Sequence, residues 1–372
     1  MKVYAVGGSV RDELLGRPVT DRDWVVVGAT PEEMASRGFR AVGADFPVFL
    51  HPETHEEYAL ARTERKTAPG HRGFVVHAEP SVTLEEDLRR RDLTINAMAR
   101  AEDGTLVDPY GGASDLRRGI LRHVSEAFAE DPVRILRVAR FAARLDFAVA
   151  PETLQLMRGM VKAGEADHLV PERVWQEIAR GLQEPHPARM LAVLRDCGAL
   201  ERVLPEIDAT VSAQGQGLVA ARLRAAAAPG LAVRFALLTV GLEVPAVTAL
   251  CERLNAPGEC RDLATLAARE RAAVEGAGIL GPDALLGLLE RTDAFRRPER
   301  LWRLMDVCDC DLAARGLSRR VPRETIEAAR KAALAVDAAA VARESPRSVA
   351  AAIHAARAAR IQSALAARAA SG

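Results

Sequence analysis

Short apolar runs separated by turn residues fill the first 120 or so positions of the chain, and from about Asp131 the apolar positions recur at helical spacing instead. The first pattern predicts strands at Val3 to Val6, Trp24 to Val27, Val48 to Leu50 and Tyr58 to Ala61, with a few helices between them. The second predicts helices with arginine and alanine on their outer faces, interrupted by prolines from Pro151 to Pro346. The fold class expected is therefore an α/β head followed by all-α segments. Breaks at Asp146 to Pro151 and at the small, polar stretch Ser212 to Gly217 suggest three regions: a head over 1–140, a neck and body over 141–208, and a tail over 209–372. The alanine-rich end, Val349 to Ala370, has helical spacing behind a Ser345-Pro346 start signal and reads as a final helix.

A length of 372 residues with 49% hydrophobic side chains exceeds one ordinary core and fills two or three. The 51 basic and 51 acidic side chains cancel, so any grip on nucleic acid is regional rather than spread over the whole surface. Only Lys2, Lys66, Lys162 and Lys331 are lysines, and the rest of the basic set is arginine, which binds phosphates and base edges in a bidentate way. Cys197, Cys251, Cys260, Cys308 and Cys310 are odd in number and lack paired metal spacing, as expected for reduced, mostly buried thiols. No stretch is long and apolar enough to span a bilayer and none looks like a leader, so a cytoplasmic protein is expected.

Four segments carry candidate chemistry. Gly7-Gly8 stands between a strand and a short helix, Val10 to Leu15, where backbone N–H groups and Arg11 can approach a phosphate. Asp21 and Asp23 are two apart at the head of the run Trp24 to Val27; on a strand both carboxylates share one face, and such a pair calls for a cation with hard oxygen ligands, Mg²⁺. After a phosphate-type turn this is a layout for two-metal phosphoryl transfer. In Arg89-Arg90-Arg91-Asp92-Leu93-Thr94-Ile95-Asn96, Arg91 suits a phosphate, while Asp92 and Asn96 suit a ribose hydroxyl. The fourth segment, Glu130 to Arg144, reads as a helix with Pro132 in its first turn. Arg134, Arg137, Arg140 and Arg144 fall within roughly 120° of arc, with Ile135, Val138, Ala139 and Ala142 opposite. No glutamate is interleaved between Arg134 and Arg144, as a solvated face would favour.

The ordered segments VGGSVRD, DRDWVVVG, RRDLTINA, DPYGGASDL and EDPVRILRVARF resemble class II CCA-adding tRNA nucleotidyltransferases, grouped with bacterial poly(A) polymerases in the polymerase-β superfamily. The resemblance runs from Met1 to about Asp208 and implies a polymerase-β-like nucleotidyltransferase head. It also implies that Gly8 and Arg11 contact the nucleotide, that Asp21 and Asp23 bind magnesium, and that Arg91, Arg137 and Arg140 hold the triphosphate. Asp92 is then expected at the ribose, and Asp131 with Arg134 at the incoming base of CTP or ATP, with tRNA as acceptor. A loop after Arg62-Thr63-Glu64-Arg65-Lys66, through Gly70, Gly73 and Phe74, is associated in that family with the switch from C to A addition and favours full CCA addition. His168 to Trp175 and Arg195 to Leu200 look like the helical neck and body, with Trp175 expected in the core.

After Asp208 the chain departs from relatives whose tail is a phosphohydrolase marked by a His-Asp dyad. Val233 to Leu238 looks like the lead-in, but Thr239-Val240-Gly241 follows. Seven of the eight histidines precede residue 187, leaving His354, so no histidine-rich metal centre and no phosphatase activity is expected of the tail. The helix carrying Arg357, Arg360 and Arg368 suits either RNA phosphates or packing. A poly(A) polymerase, a CC-adding or A-adding specialist, and a silent RNA-binding paralogue remain as alternatives.

Overall fold

The computed structural model describes residues 1–19, 21–42, 48–66, 74–226 and 230–371. Its strands are β1 (Lys2–Val6), β2 (Asp23–Val27), β3 (Arg40–Val42), β4 (Val48–Leu50), β5 (Glu57–Leu60), β6 (Thr63–Lys66), β7 (Phe74–His77), β8 (Ala99–Ala101), β9 (Leu106–Val107), β10 (Ile120–Leu121) and β11 (Ala148–Val149). Seven of them form one mixed sheet in the order β3-β4-β5-β2-β1-β8-β9. β1 runs antiparallel to β2 and β8, while β2 and β5 are parallel. The apolar run of β2 suits a strand covered on both faces. Val25 packs with Val6, Leu88 and Ala99 on one face, and its neighbour Val26 with Met34, Phe49 and Leu60 on the other.

The expected loop after Lys66 is flanked by two strands, the second of which takes in Phe74. β6 pairs antiparallel with β7, and residues 67–73, including Gly70 and Gly73, lie outside the described residues. Asp21 also differs from expectation. The register ends where Val6 pairs with Asp23, because β1 turns away at Gly7, so β2 starts at Asp23 and Asp21 precedes the strand.

The first five helices are α1 (Gly8–Leu14), α2 (Pro31–Ser36), α3 (Leu84–Arg89), α4 (Gly112–Arg118) and α5 (Val133–Leu145). α3 begins at a capping box in which Thr83 and Glu86 exchange side-chain and backbone hydrogen bonds, an arrangement worth about 1 kcal/mol. It ends as Arg90 and Arg91 enter the site. The turn Thr94–Asn96 is braced from behind by α4. Asp108 accepts the N–H groups of Gly112 and Ala113 at 2.7 and 2.9 Å, and Asp115 accepts Thr94 Oγ1–H at 2.8 Å. A Cβ at Gly112 would lie 2.2 Å from the Thr94 carbonyl oxygen, so only glycine allows this approach.

α5 ends at Asp146, whose φ of 56° is left-handed, and the short β11 pairs parallel with β10. That pair is the one departure from an all-helical remainder among the described residues. The chain then continues through α6 (Pro151–Lys162), α7 (Pro171–Gln183), α8 (Pro187–Asp196) and α9 (Ala199–Val203), with α7 and α8 packed on α5. Trp175 is partly exposed rather than in the core, because Val174 and Ile178 occupy the inward face of α7.

The chain divides into two compact units, Met1–Val203 and Leu204–Gly372. The boundary expected after residue 140 falls inside α5, and that after 208 inside a further helix, Pro205–Gln214. The second unit is helical throughout its described residues. Gly215, at φ 87°, separates Pro205–Gln214 from Gln216–Ala225, and the final helix is Val349–Ser371. Four of the five cysteines are buried and all are free thiols.

Candidate active site

Gly7 has φ 70°, the left-handed turn that lets β1 give way to α1, and a Cβ there would meet Arg91 Nη1 at 2.9 Å. Beyond this turn lies a cavity of about 580 Å³. Its lining gathers Gly8, Arg11, Asp23, Arg91, Asp92, Asn96, Asp131, Arg134, Arg137 and Arg140. Ten of the eleven residues expected at the site are thus brought together. The eleventh, Asp21, is exposed two residues before β2 and is not in the lining.

A hydrogen-bonded chain orders the floor of the cavity. Arg11 is held by Asp12, at 3.0 Å to each of two oxygens, and gives Nη1–H to Asn96 Oδ1 at 2.6 Å. Asn96 in turn donates Nδ2–H to Asp92 Oδ1 at 3.0 Å, and Arg137 gives Nε–H to Asp92 Oδ2 at 2.7 Å. Burial alone would push the Asp92 carboxyl up. The Arg137 charge, with hydrogen bonds from Asn96, Arg137 and the Leu93 N–H, outweighs it and holds the group at about 2. Asp87, buried behind Arg90 and Arg91, is likewise kept low against its burial by those two charges. Arg90 and Arg91 thus reach the cavity from a fixed anchor.

The arginine face of α5 points into the same space. Arg134 gives Nη1–H to the Ala127 carbonyl at 2.9 Å and Nη2–H to the Arg90 carbonyl at 2.6 Å, which fixes its plane. Arg140 pairs with Glu177 of α7, both nearly buried. Arg144 gives an N–H to Asp12 at 2.8 Å. The missing interleaved glutamates have their counterparts on other elements: Asp92, Glu177 and Asp12. Removing one partner of a buried pair such as Arg140 and Glu177 costs about 3–5 kcal/mol.

Asp131 receives Arg173 end-on, Nη1 at 3.2 Å and Nη2 at 2.8 Å, and its Oδ1 also accepts the Val133 N–H. It shares the cavity with Arg134, but the guanidinium hydrogen-bonded to it is that of Arg173. Arg144, the last arginine of the stripe, also lines the cavity, and so do Arg173, Arg90 and Phe141, which were not singled out as site residues from the sequence. For Arg173 a signal existed: it stands with Glu177, i and i+4, on one polar face of an amphipathic helix, although Glu177 pairs with Arg140 and Arg173 with Asp131.

A glycine turn beside a strand-head carboxylate, on a mixed sheet faced by a helix of arginines, defines a nucleotidyltransferase head. Residues 3–122 match the family model described as "Poly A polymerase head domain", and residues 146–210 the one described as "Probable RNA and SrmB- binding site of polymerase A". The chain is 57% identical over 378 residues to the "Multifunctional CCA protein" of Aromatoleum aromaticum, covering 92% of this chain and 93% of that protein. To the protein of the same name from Chromobacterium violaceum it is 54% identical over 376 residues, covering 92% of each. Among solved structures, the Bacillus stearothermophilus CCA-adding enzyme in complex with CTP aligns with TM-score 0.68 and 25% identity over 98% of this chain and 89% of that one. A tRNA nucleotidyltransferase with a primer tRNA and an incoming ATP analog aligns with TM-score 0.60 and 26% identity over 82% and 91%. With relatives of this identity along almost its whole length, the chain belongs to the CCA-adding tRNA nucleotidyltransferases.

Proposed function

We propose that the cavity of the head is the single nucleotide site at which this enzyme builds the 3′-terminal CCA of tRNA from CTP and ATP, releasing pyrophosphate. The observation that carries the assignment of residues is the convergence of Gly8, Arg11, Asp23, Arg91, Asp92, Asn96, Asp131, Arg134, Arg137 and Arg140 on one cavity.

Asp21 and Asp23 would hold Mg²⁺. The donor set, Asp23 at the strand head with Asp21 two residues before it, fits a hard cation that takes its remaining oxygens from phosphate and water. Asp23 lies at the cavity wall, and Asp21 stands two residues ahead of it in the chain, outside the lining. When bound, the metal supplies charge neutralisation at the α-phosphate and lowers the pKa of the attacking 3′-hydroxyl. Arg91, Arg137 and Arg140 would draw the departing pyrophosphate, and Asp92 with Asn96 would orient the ribose. No residue needs to form a covalent bond to the substrate.

Base choice would rest on Asp131 and Arg134. Cytosine and adenine each present an amino donor beside an unprotonated ring nitrogen, which a carboxylate and a guanidinium satisfy together. Uracil and guanine invert the pattern and leave buried polar groups unpaired, at about 1–3 kcal/mol each. Arg173 would hold Asp131 turned toward the base, with Oδ1 serving Arg173 and the Val133 N–H while Oδ2 retains a second lone pair for the amino group. The three-part division into head (1–140), neck and body (141–208) and tail (209–372) is our functional reading, with the tail holding the body of the tRNA. No described helix is long and apolar enough to cross a membrane, and we place the enzyme's work in the cytoplasm.

The test is incubation of tRNA lacking its last three nucleotides with Mg²⁺ and each nucleotide, singly and in pairs. CTP alone should extend it by two nucleotides and CTP with ATP by three. Incorporation of UMP as readily as CMP would remove the base-selection assignment.

A further inference from the structure

Three guanidinium groups converge on one aromatic ring. The Cζ atoms of Arg140, Arg11 and Arg137 lie 4.5, 5.1 and 5.8 Å from the centroid of Phe141, all within cation–π range. Phe141 is 4% exposed and still lines the cavity. Arg137 and Phe141 are i and i+4 on α5, so they share a face, whereas Arg11 arrives from α1.

We infer that Phe141 is a positioning residue for the nucleotide triphosphate, its ring holding Arg11, Arg137 and Arg140 together with their donors turned to the phosphates. This rests on the phosphate-binding reading of those arginines. Three like charges around one point repel each other, and something must offset that before substrate arrives. Carboxylates do part of this: Asp12 takes Nε–H and an Nη–H of Arg11, Asp92 takes Nε–H of Arg137, and Glu177 takes Nε–H of Arg140. Another carboxylate would consume further N–H donors and repel the triphosphate. An aromatic face attracts the cations through its quadrupole and consumes no donor. Among the described residues Arg137 and Arg140 give only Nε–H to protein acceptors, so their terminal nitrogens stay available to an anion.

The experiment uses the full chain with Phe141→Leu, and with one, two or three fluorines placed on the ring at position 141, which weaken the quadrupole while keeping the shape. Steady-state rates on tRNA lacking its CCA end are measured beside equilibrium binding of inorganic triphosphate. Phe141→Leu should raise KM for CTP and ATP about tenfold, equivalent to about 1.4 kcal/mol, with kcat within about twofold. Triphosphate binding should weaken by the same factor, and the fluorinated rings should fall between, in order of fluorine count. Fluorinated rings that all match the wild type would reduce Phe141 to a packing residue and overturn the inference, even if Phe141→Leu fails to fold. Arg140→Met separates the two readings. If it weakens triphosphate binding while the Phe141 series stays flat, only the role of Phe141 falls; if it leaves binding unchanged, the phosphate-site reading fails and the inference goes with it.

Discussion

In the head, nine arginines (Arg11, Arg62, Arg90, Arg91, Arg134, Arg137, Arg140, Arg144 and Arg173) line a cavity with four carboxylates, Asp23, Glu57, Asp92 and Asp131. In the second unit a carboxylate stands at the centre instead. Asp311, fully buried, accepts Arg222 at 2.6 Å, Arg271 at 3.1 Å and Arg315 at 3.1 Å, while Glu275 takes further N–H groups from Arg271 and Arg315. Arg222 also donates to Gln214 and to the carbonyl of Val240, in the stretch where the His-Asp dyad is missing. The same residue type thus serves two ends. Arginines around a cavity leave an excess of positive charge facing open space, and arginines around a buried carboxylate lock helices together. In the final helix Arg357 stacks on Phe295 at 4.8 Å and Arg368 forms an exposed pair with Glu324, so neither surrounds a buried carboxylate.

The contrast can be broken at several points. Asp23→Ala should lower nucleotide addition at least about a thousandfold, the several kcal/mol a lost metal ligand is worth, with an unchanged melting curve because Asp23 is exposed. A rate within tenfold of wild type would remove Asp23 from the chemistry. Asp311→Ala should act the opposite way, costing about 3–5 kcal/mol in urea unfolding because Arg222 is left buried and unpaired. Replacing Arg222 and Asp311 together by Met and Leu should recover most of that loss. If the double variant is as unstable as the single one, the tail cluster is not an isolated lock. Asp131→Ala should lower the preference for CTP over UTP by about 10- to 100-fold in kcat/KM, with a smaller change in total rate.

A pH titration separates the two regions further. The folded Asp92 carboxyl, at about 2, lies below its ordinary value of 3.8. Its contribution is therefore fully present above 3.8 and disappears as the pH falls toward 2, about 2 kcal/mol in all. Denaturant midpoints across that window should flatten in Asp92→Asn. The smallest effect belongs to Arg368→Ala, an exposed pair worth less than about 1 kcal/mol by thermal melting.

Much of this was legible along the chain because the head's chemistry is local. Gly7 and Gly8, Asp23, Arg91 to Asn96, and Asp131 to Arg140 are compact segments whose residue types state their chemistry, and the cavity gathers them. Periodicity placed the first strands within a residue or two, since an apolar run of β-branched residues leaves little choice. The partners that hold those segments were not legible. Asp12 with Arg144, Asp131 with Arg173, and Arg140 with Glu177 join residues 37 to 132 positions apart, and no local pattern encodes such a pairing. Asp21 shows the same limit from the other side, for the i, i+2 spacing assumed a strand that starts only at Asp23.

What the sequence determined by itself was the reaction class and the nucleotide chemistry, because both depend on which functional groups exist and in what order. The tertiary structure alone decided how those charges are balanced. Whether an arginine meets a carboxylate, a ring or open space depends on distances between segments remote in sequence. On that balance rests the difference between a guanidinium left facing a cavity and one that holds the fold.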